Sequence, residues 1–242
     1  MNINKLIEED SDKLRVFEHQ IPIETQMEYF IYSSQLRELF PKDAELAYDE
    51  FAGVLFDSSG TLIDKKKPIL SALALTKEVR AFRMLQEYVQ NPDKELIDWA
   101  NMALMENRVM LESEFTDERQ IYISTGLGGK DNRLRFYILL LSSSCSHFLD
   151  YQQQVIEREF AFAIQKEDCK IEELTIHTNY VEIVILTPIS TNIKRFIENV
   201  ITECNQYGDF IANHITITNV KKLDENEIAQ IIKKYENIRT GA

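Results

Sequence analysis

The sequence predicts an α+β chain in which helices come first and an antiparallel sheet follows. Three observations carry the prediction. From Leu134 to Val220 the chain reads strand, amphipathic helix, strand, then strand, amphipathic helix, strand. Before Glu114 the apolar residues recur at helical spacing. With 7 Gly and 5 Pro in 242 residues, disordered or low-complexity sequence does not dominate.

Residues 1–20 are polar and acidic and read as a loose arm that turns helical around Leu14, Val16 and Phe17. From Glu24 the spacing is helical: Met27, Phe30, Ile31, Ser34 and Leu39 fall on one face, and Pro41 ends the run. Asp43 to Phe56 predicts a second helix through Leu46, Ala47, Phe51, Val54 and Leu55. Ser58-Ser59-Gly60 breaks the chain, and a third helix begins at Lys65. Val79 to Gln90 gives a fourth, with Val79, Phe82, Leu85 and Val89 inward. Asn91-Pro92-Asp93 reads as a helix start, Asn as cap and Pro at the first helical position, where its missing N–H costs nothing. That helix runs to about Glu114 through Leu96, Trp99, Ala100, Ala103, Leu104 and Val109.

Ile121 to Ser124 reads as an edge strand, and Leu134 to Leu141 as a central strand buried on both faces. A helix follows with Phe148, Val155, Ile156, Phe160, Ala163 and Ile164 on one side. Lys170 to His177 and Val181 to Leu186 are strands joined closely enough to be antiparallel neighbours. The clearest helix carries Ile193, Phe196, Ile197, Val200, Ile201 and Cys204, with Ser190 or Thr191 as cap and Gly208 as stop. His214 to Val220 is the last strand, and Asp224 and Glu227 are spaced as a capping box for a final helix through Ile228, Ile231, Ile232 and Tyr235.

Two resemblances follow from these elements. Ala72-Leu73 recurs as Ala103-Leu104 thirty-one residues later, with Phe82, Leu85 and the Asn91-Pro92-Asp93 turn between them; residues 64–112 thus resemble a HEAT-type helical repeat. Such a stack implies a surface that binds another protein. The β-α-β-β-α-β order resembles the ferredoxin-like fold, an antiparallel sheet with helices on one face. That fold hosts many activities and supplies none here. The whole chain resembles an uncharacterised bacterial family, which likewise implies no activity. The expected organisation is an acidic helical HEAT-like module over 1–114, a linker with an extra strand and Gly-rich loop over 115–133, and a ferredoxin-like domain with a C-terminal helix over 134–242.

Net charge is −13. Residues 1–119 hold 24 Asp/Glu against 14 Lys/Arg, whereas residues 120–223 hold 12 against 10. An acidic surface repels phosphate backbones, so nucleic acid is disfavoured for the N-terminal half and left open for the C-terminal domain. Three cysteines without CxxC spacing, a start lacking the pattern of a signal peptide and no long apolar run predict a cytoplasmic chain with reduced thiols and no membrane contact.

Ser124 to Asn132 holds three of the seven glycines, and Gly126, Gly128, Gly129 and Lys130 are the ligand-binding candidates, because glycine-rich backbone with a lysine can cradle an anion. The GxxxxGK[ST] spacing is absent, and a loop before the central strand is the plainer reading. Val54 to Asp64 resembles the first motif of haloacid-dehalogenase-type phosphatases, with Asp57 as the implied nucleophile and Gly60-Thr61 matching. Ser59 stands where that motif has its acid/base Asp, and the surrounding pattern is helical, so a turn between helices is preferred. Cys145 with His147, His177 with His214, and Phe136 with Tyr137 invite nucleophile, metal and base-stacking readings in turn. Each lacks the partners its chemistry needs.

No catalytic residue, metal or cofactor is therefore expected. The sequence reading is a non-enzymatic cytosolic interaction protein with a protein partner, a homodimer through an open sheet face carrying Val184, Leu186 and Thr216 being left open. Ligand sensing at the glycine loop and RNA or ribosome association are the alternatives.

Overall fold

The computed structural model describes residues 13–39, 46–57, 62–116 and 120–240. The class is α+β, with helices first and a sheet after them. The chain divides into two compact units, Met1–Ile123 and Ser124–Ala242, and the boundary falls inside the segment read as a linker.

The first unit runs β1 (Leu14–Val16), α1 (Ile23–Leu39), α2 (Tyr48–Leu55), α3 (Ile63–Ala74), α4 (Val79–Tyr88), a 3-10 turn (Lys94–Leu96), α5 (Ile97–Thr116) and β2 (Ile121–Ile123). The arm expected to turn helical at Leu14 is a strand instead, paired in parallel with β2 so that Leu14 faces Ile121 and Val16 faces Ile123. Leu14 and Val16 are buried and Arg15 between them is exposed, the period of two that a strand requires. This pairing also settles where Ile121–Ile123 goes: into a two-stranded sheet of its own unit. At the Asn91-Pro92-Asp93 turn the extended residue before the helical segment is Asp93, not Asn91.

The core of this unit forms where α5 lays Trp99, Ala100 and Ala103 against Leu70, Leu73 and Ala74 of α3 and Ala81, Leu85 and Tyr88 of α4. Polar side chains stitch the same contact. The Trp99 indole donates to Ser71 Oγ at 2.9 Å. Asn107 Nδ2 donates to the Leu73 and Thr76 carbonyls at 2.9 and 2.8 Å, tying the end of α3 to α5. Lys66 is the middle of a three-lysine run, yet it is 1 % exposed. Its ammonium donates to Asp93 Oδ2 at 2.7 Å and to the Asp57 carbonyl at 2.8 Å, and Tyr88 donates to the same Asp93 oxygen at 2.6 Å.

The second unit runs β3 (Gly129–Lys130), β4 (Arg133–Ser142), α6 (Asp150–Lys166), β5 (Lys170–Ile176), β6 (Tyr180–Pro188), α7 (Ile193–Asn205), β7 (Ile211–Thr218) and α8 (Glu225–Thr240). The strands lie in the order β7-β4-β6-β5, each antiparallel to its neighbour, with β4 at the centre. β3 pairs with the first residues of β4 beyond the end of β7, through a two-residue turn in which Asp131 and Asn132 both take positive φ, as a tight hairpin of this kind requires. On one face Ile138, Leu140, Ile183 and Ile185 pack against Ile156 and Phe160 of α6 and Ile197 and Ile201 of α7. On the other, Tyr137, Leu139, Leu141 and Val184 are covered by Leu127 and by α8 through Ile228.

That second face was the one whose exposure would have argued for a homodimer. Val184 and Leu186 are 3 % and 2 % exposed and Thr216 is half-buried; Leu127 and α8 cover Val184 from within the unit. The capping box of α8 forms as spaced, Glu227 N–H donating to Asp224 Oδ1 and Asp224 N–H to Glu227 Oε2. For α7 the cap is Asn192, which accepts from the Arg195 N–H, rather than Ser190 or Thr191.

Candidate interaction surface

Helix α1 is inverted relative to the pattern that predicts it. Its buried residues are Gln26, Tyr29 and Ser33, while Met27, Phe30 and Ile31 are 59 %, 45 % and 57 % exposed. An amphipathic helix ordinarily turns its apolar stripe inward. Here the side facing the core is polar because of what α5 presents to it.

That group is Glu106, nine-tenths buried on α5. The Tyr29 hydroxyl donates to its Oε2 at 2.6 Å, Ser33 donates to both oxygens at 2.8 Å, and Arg37 reaches Oε1 at 2.5 Å. A buried carboxylate is tolerable only when its lone pairs are filled, and α1 supplies three donors from successive turns of one face. Burial first, then the charge and hydrogen bond of Glu106, push the Tyr29 phenol well above its ordinary pKa, so it remains a donor. The Tyr29 ring also meets Trp99 edge-on at 5.0 Å. With that face committed to Glu106, the apolar face is left in water.

Exposed apolar residues scattered singly are ordinary, but three large ones adjoining at i, i+3 and i+4 make a patch of the kind that binds partners. Acidic side chains border it: Glu24, Glu28 and Glu38 are all exposed on α1. Glu28 is shared with Lys67 at 2.6 Å, and Lys67 sits 3.8 Å over the Trp99 ring. Beside them opens a cleft of about 330 Å³ lined by Thr25, Glu28, Lys67, Lys94, Glu95 and Asp98 among others.

The glycine loop has a different character. Gly126, Gly128 and Gly129 are buried, and Lys130 alone of the four candidates is exposed. The Leu127 N–H donates to the Asn219 carbonyl and the Gly128 N–H to the Thr125 carbonyl, so these two donors face the protein's own acceptors. Arg135 Nη1 holds the Leu127 carbonyl at 2.6 Å while its fork grips both oxygens of Glu172. Glu172 is the extra residue of a bulge in β5, which re-aims its side chain. The Arg135 hydrogen bond holds the Glu172 carboxyl below its ordinary pKa. Glycine is required at 126 by contact: a Cβ there would lie 1.9 Å from the Val220 carbonyl oxygen. Gly126→Ala is therefore expected to cost about 1–3 kcal/mol, the usual range for overpacking, and to raise amide exchange in β3 and at the end of β7.

The remaining candidates lie in separate contacts. His177 stacks on Tyr180 at 4.2 Å, with Nε2 2.7 Å from Glu182 Oε2. Tyr137 donates to the other Glu182 oxygen at 2.8 Å, and burial, then that bond, push its phenol up. His214 stacks on Tyr235 of α8 instead. Among the described residues no three His, Cys, Asp or Glu side chains gather to hold a metal. Phe136 packs toward α6 and α7 and Tyr137 toward α8, so neither is a free stacking platform. Cys169 and Cys204 are buried, and burial pushes their thiols up to about 11 and about 12. Cys145, at positive φ, forms no hydrogen bond with His147 among the described residues. Before Asp57 stands helix α2, not the strand that a phosphatase motif needs; Ser58 to Thr61 lie outside the described residues. Pro41, Asp43 and the first twelve residues do so as well.

No known family model matches the chain, and neither does any curated protein. Among solved structures, a candidate transposase of Deinococcus radiodurans R1 matches at 12 % identity over 43 % of this chain and 90 % of its own, with a TM-score of 0.35. A REP-associated tyrosine transposase bound to a REP hairpin matches at 6 % identity over 44 % of this chain and 68 % of its own, TM-score 0.33. The C-terminal domain of the MgtC protein from Mycobacterium tuberculosis matches at 10 % identity over 39 % of this chain and 99 % of its own, TM-score 0.29. At these scores the likenesses bear on neither the fold family nor the site. Among the described residues no helix is long and apolar enough to cross a membrane.

Proposed function

We propose that the chain is a non-enzymatic cytosolic interaction protein whose partner-binding surface is the outward face of α1. The observation that carries this reading is the inversion of that helix. Tyr29, Ser33 and Arg37 are spent on Glu106 and Gln26 on the Ile21 carbonyl, and Met27, Phe30 and Ile31 are held together in water on a braced scaffold. The finer architecture belongs to the same proposal. A HEAT-type helix pair over residues 64–112 is supported by Leu73 and Ala103 meeting in one core beside the Asp93 turn. A ferredoxin-like second unit is supported by the strand order β7-β4-β6-β5. Ligand sensing at Gly126, Gly128, Gly129 and Lys130 has less behind it, since Leu127 and Gly128 spend their N–H groups internally.

The test is capture from native cytosol at high salt with the tagged full chain, beside its Ile31→Asp variant. The expected result is a stoichiometric protein partner that the variant binds about 30-fold less tightly, the effect of losing a 2 kcal/mol hot spot. A partner retained equally by the variant, or recovery of RNA alone, overturns the reading.

A further inference from the structure

We infer that the partner presents a cationic amphipathic helix, laid along α1 with its apolar stripe on Met27, Phe30 and Ile31 and its Lys or Arg side chains over Glu24, Glu28 and Glu38. The inference rests on the reading above and names the chemistry of the occupant. At about 100° of rotation per residue, Phe30, Ser34, Met27, Glu38, Ile31, Glu24 and Glu28 follow one another around the outer side of α1. The apolar arc is therefore bordered on its Ile31 side by the exposed carboxylates of Glu24 and Glu28, while the exposed Glu38 continues the line of Met27 and Ile31 at its C-terminal end. On its Phe30 side stands Arg37, whose guanidinium is engaged by Glu106.

Shape and charge then select the occupant. Ser34 is small and lies in the middle of the arc, which lets a second helix approach to the usual 8–10 Å of packed helices. The Glu28 side chain remains 62 % exposed although it meets Lys67, so it can share a second cation. The cleft next to it sets Glu28, Glu95 and Asp98 against Lys67 and Lys94, and this excess of carboxylates offers a place for a lysine or arginine head at the N-terminal end of the stripe. A second copy of this chain is disfavoured: antiparallel pairing of α1 about Ile31 places Glu24 against Glu38 of its mate, like charge on like. Anionic nucleic acid and anionic lipid meet the same repulsion. A helix with apolar residues at i, i+3 and i+4 and basic residues along one flank meets both the stripe and the border.

The probe is a library of 18-residue peptides with a fixed leucine stripe and one flank randomised among Lys, Arg, Glu, Gln and Ser, selected on the immobilised full chain. Selected peptides are expected to be enriched in Lys and Arg on that flank and to lose affinity at least tenfold against Ile31→Asp. A triple Glu24→Gln, Glu28→Gln, Glu38→Gln variant should bind them about tenfold more weakly and no longer favour basic flanks, while still depending on Ile31. Circular dichroism of each variant checks that it is folded. Neutral or acidic flanks among Ile31-dependent binders overturn the cationic assignment and leave the interaction reading standing. Binders indifferent to Ile31 overturn both. A dimer in sedimentation that Ile31→Asp dissociates makes a second copy the occupant and overturns the inference. A library without Ile31-dependent binders also overturns it, and cytosolic capture through the same surface then decides the broader reading.

Discussion

Asp93→Ala is expected to cost about 3–5 kcal/mol, the range for removing one partner of a buried ion pair. Lys66 is 1 % exposed, and without Asp93 its ammonium keeps, among the described residues, the Asp57 carbonyl and a distant face of the Tyr88 ring. Tyr88 loses the acceptor of its hydroxyl in the same step. The penalty comes from the stranded lysine, so Lys66→Met in the Asp93→Ala background should recover about 2 kcal/mol or more, a coupling that contacting residues show and distant ones do not. Urea unfolding followed by the fluorescence of Trp99, the chain's single tryptophan, measures both. Equal loss in the single and double variants would contradict the account. Burial alone would raise the Asp93 carboxyl; the hydrogen bonds from Lys66 and Tyr88 outweigh it and hold the group below its ordinary pKa. A depressed carboxylate contributes its stability in full above the unfolded pKa of about 3.9 and loses it as pH falls through the folded value. Acid should thus loosen this clasp.

Glu106→Ala is the second large effect, expected at about 3–4 kcal/mol. It leaves the buried hydroxyls of Tyr29 and Ser33 without acceptors, each costing about 1–3 kcal/mol, and opens a void between α1 and α5. Glu106→Gln keeps the volume and one acceptor and should cost less than half as much. Amide exchange locates the damage: protection should fall along α1 first, since that helix is tied to α5 through this carboxylate. Unchanged protection in α1 would show that apolar packing of Tyr29 and Tyr32 on Trp99 suffices to hold it.

The parts of the chain legible from sequence are those where local pattern and burial agree. β4 reads as a central strand because its apolar run is buried on both faces, and α7 reads as a helix because one clean stripe meets the sheet. α1 was legible as a helix but not in orientation. Periodicity states that Met27, Phe30 and Ile31 share a face; it does not say which way that face turns. The deciding residue is Glu106, 77 positions from Tyr29. A glutamate at a core-facing position of α5 was the available signal, readable only once α5 was placed against α1. Lys66 is illegible for a related reason, standing between an exposed Lys65 and a half-buried Lys67 in a run of like residues. β1 was too short for its period of two to stand out from helical spacing. At the glycine loop the density of glycines suggested a cradle. Part of its cause is the approach of the Val220 backbone to Gly126, a contact from beyond the sheet that no local motif encodes.

The most direct measurement is the unfolding free energy of Ile31→Asp beside that of Tyr29→Ala. If the polar face of α1 is the one in the core, the aspartate at 31 changes stability by no more than about 0.5 kcal/mol, as surface substitutions do. The alanine at 29 then costs about 3–5 kcal/mol, as the loss of a buried aromatic does. The opposite ranking would place Met27, Phe30 and Ile31 in the core and remove the surface on which the proposed function depends.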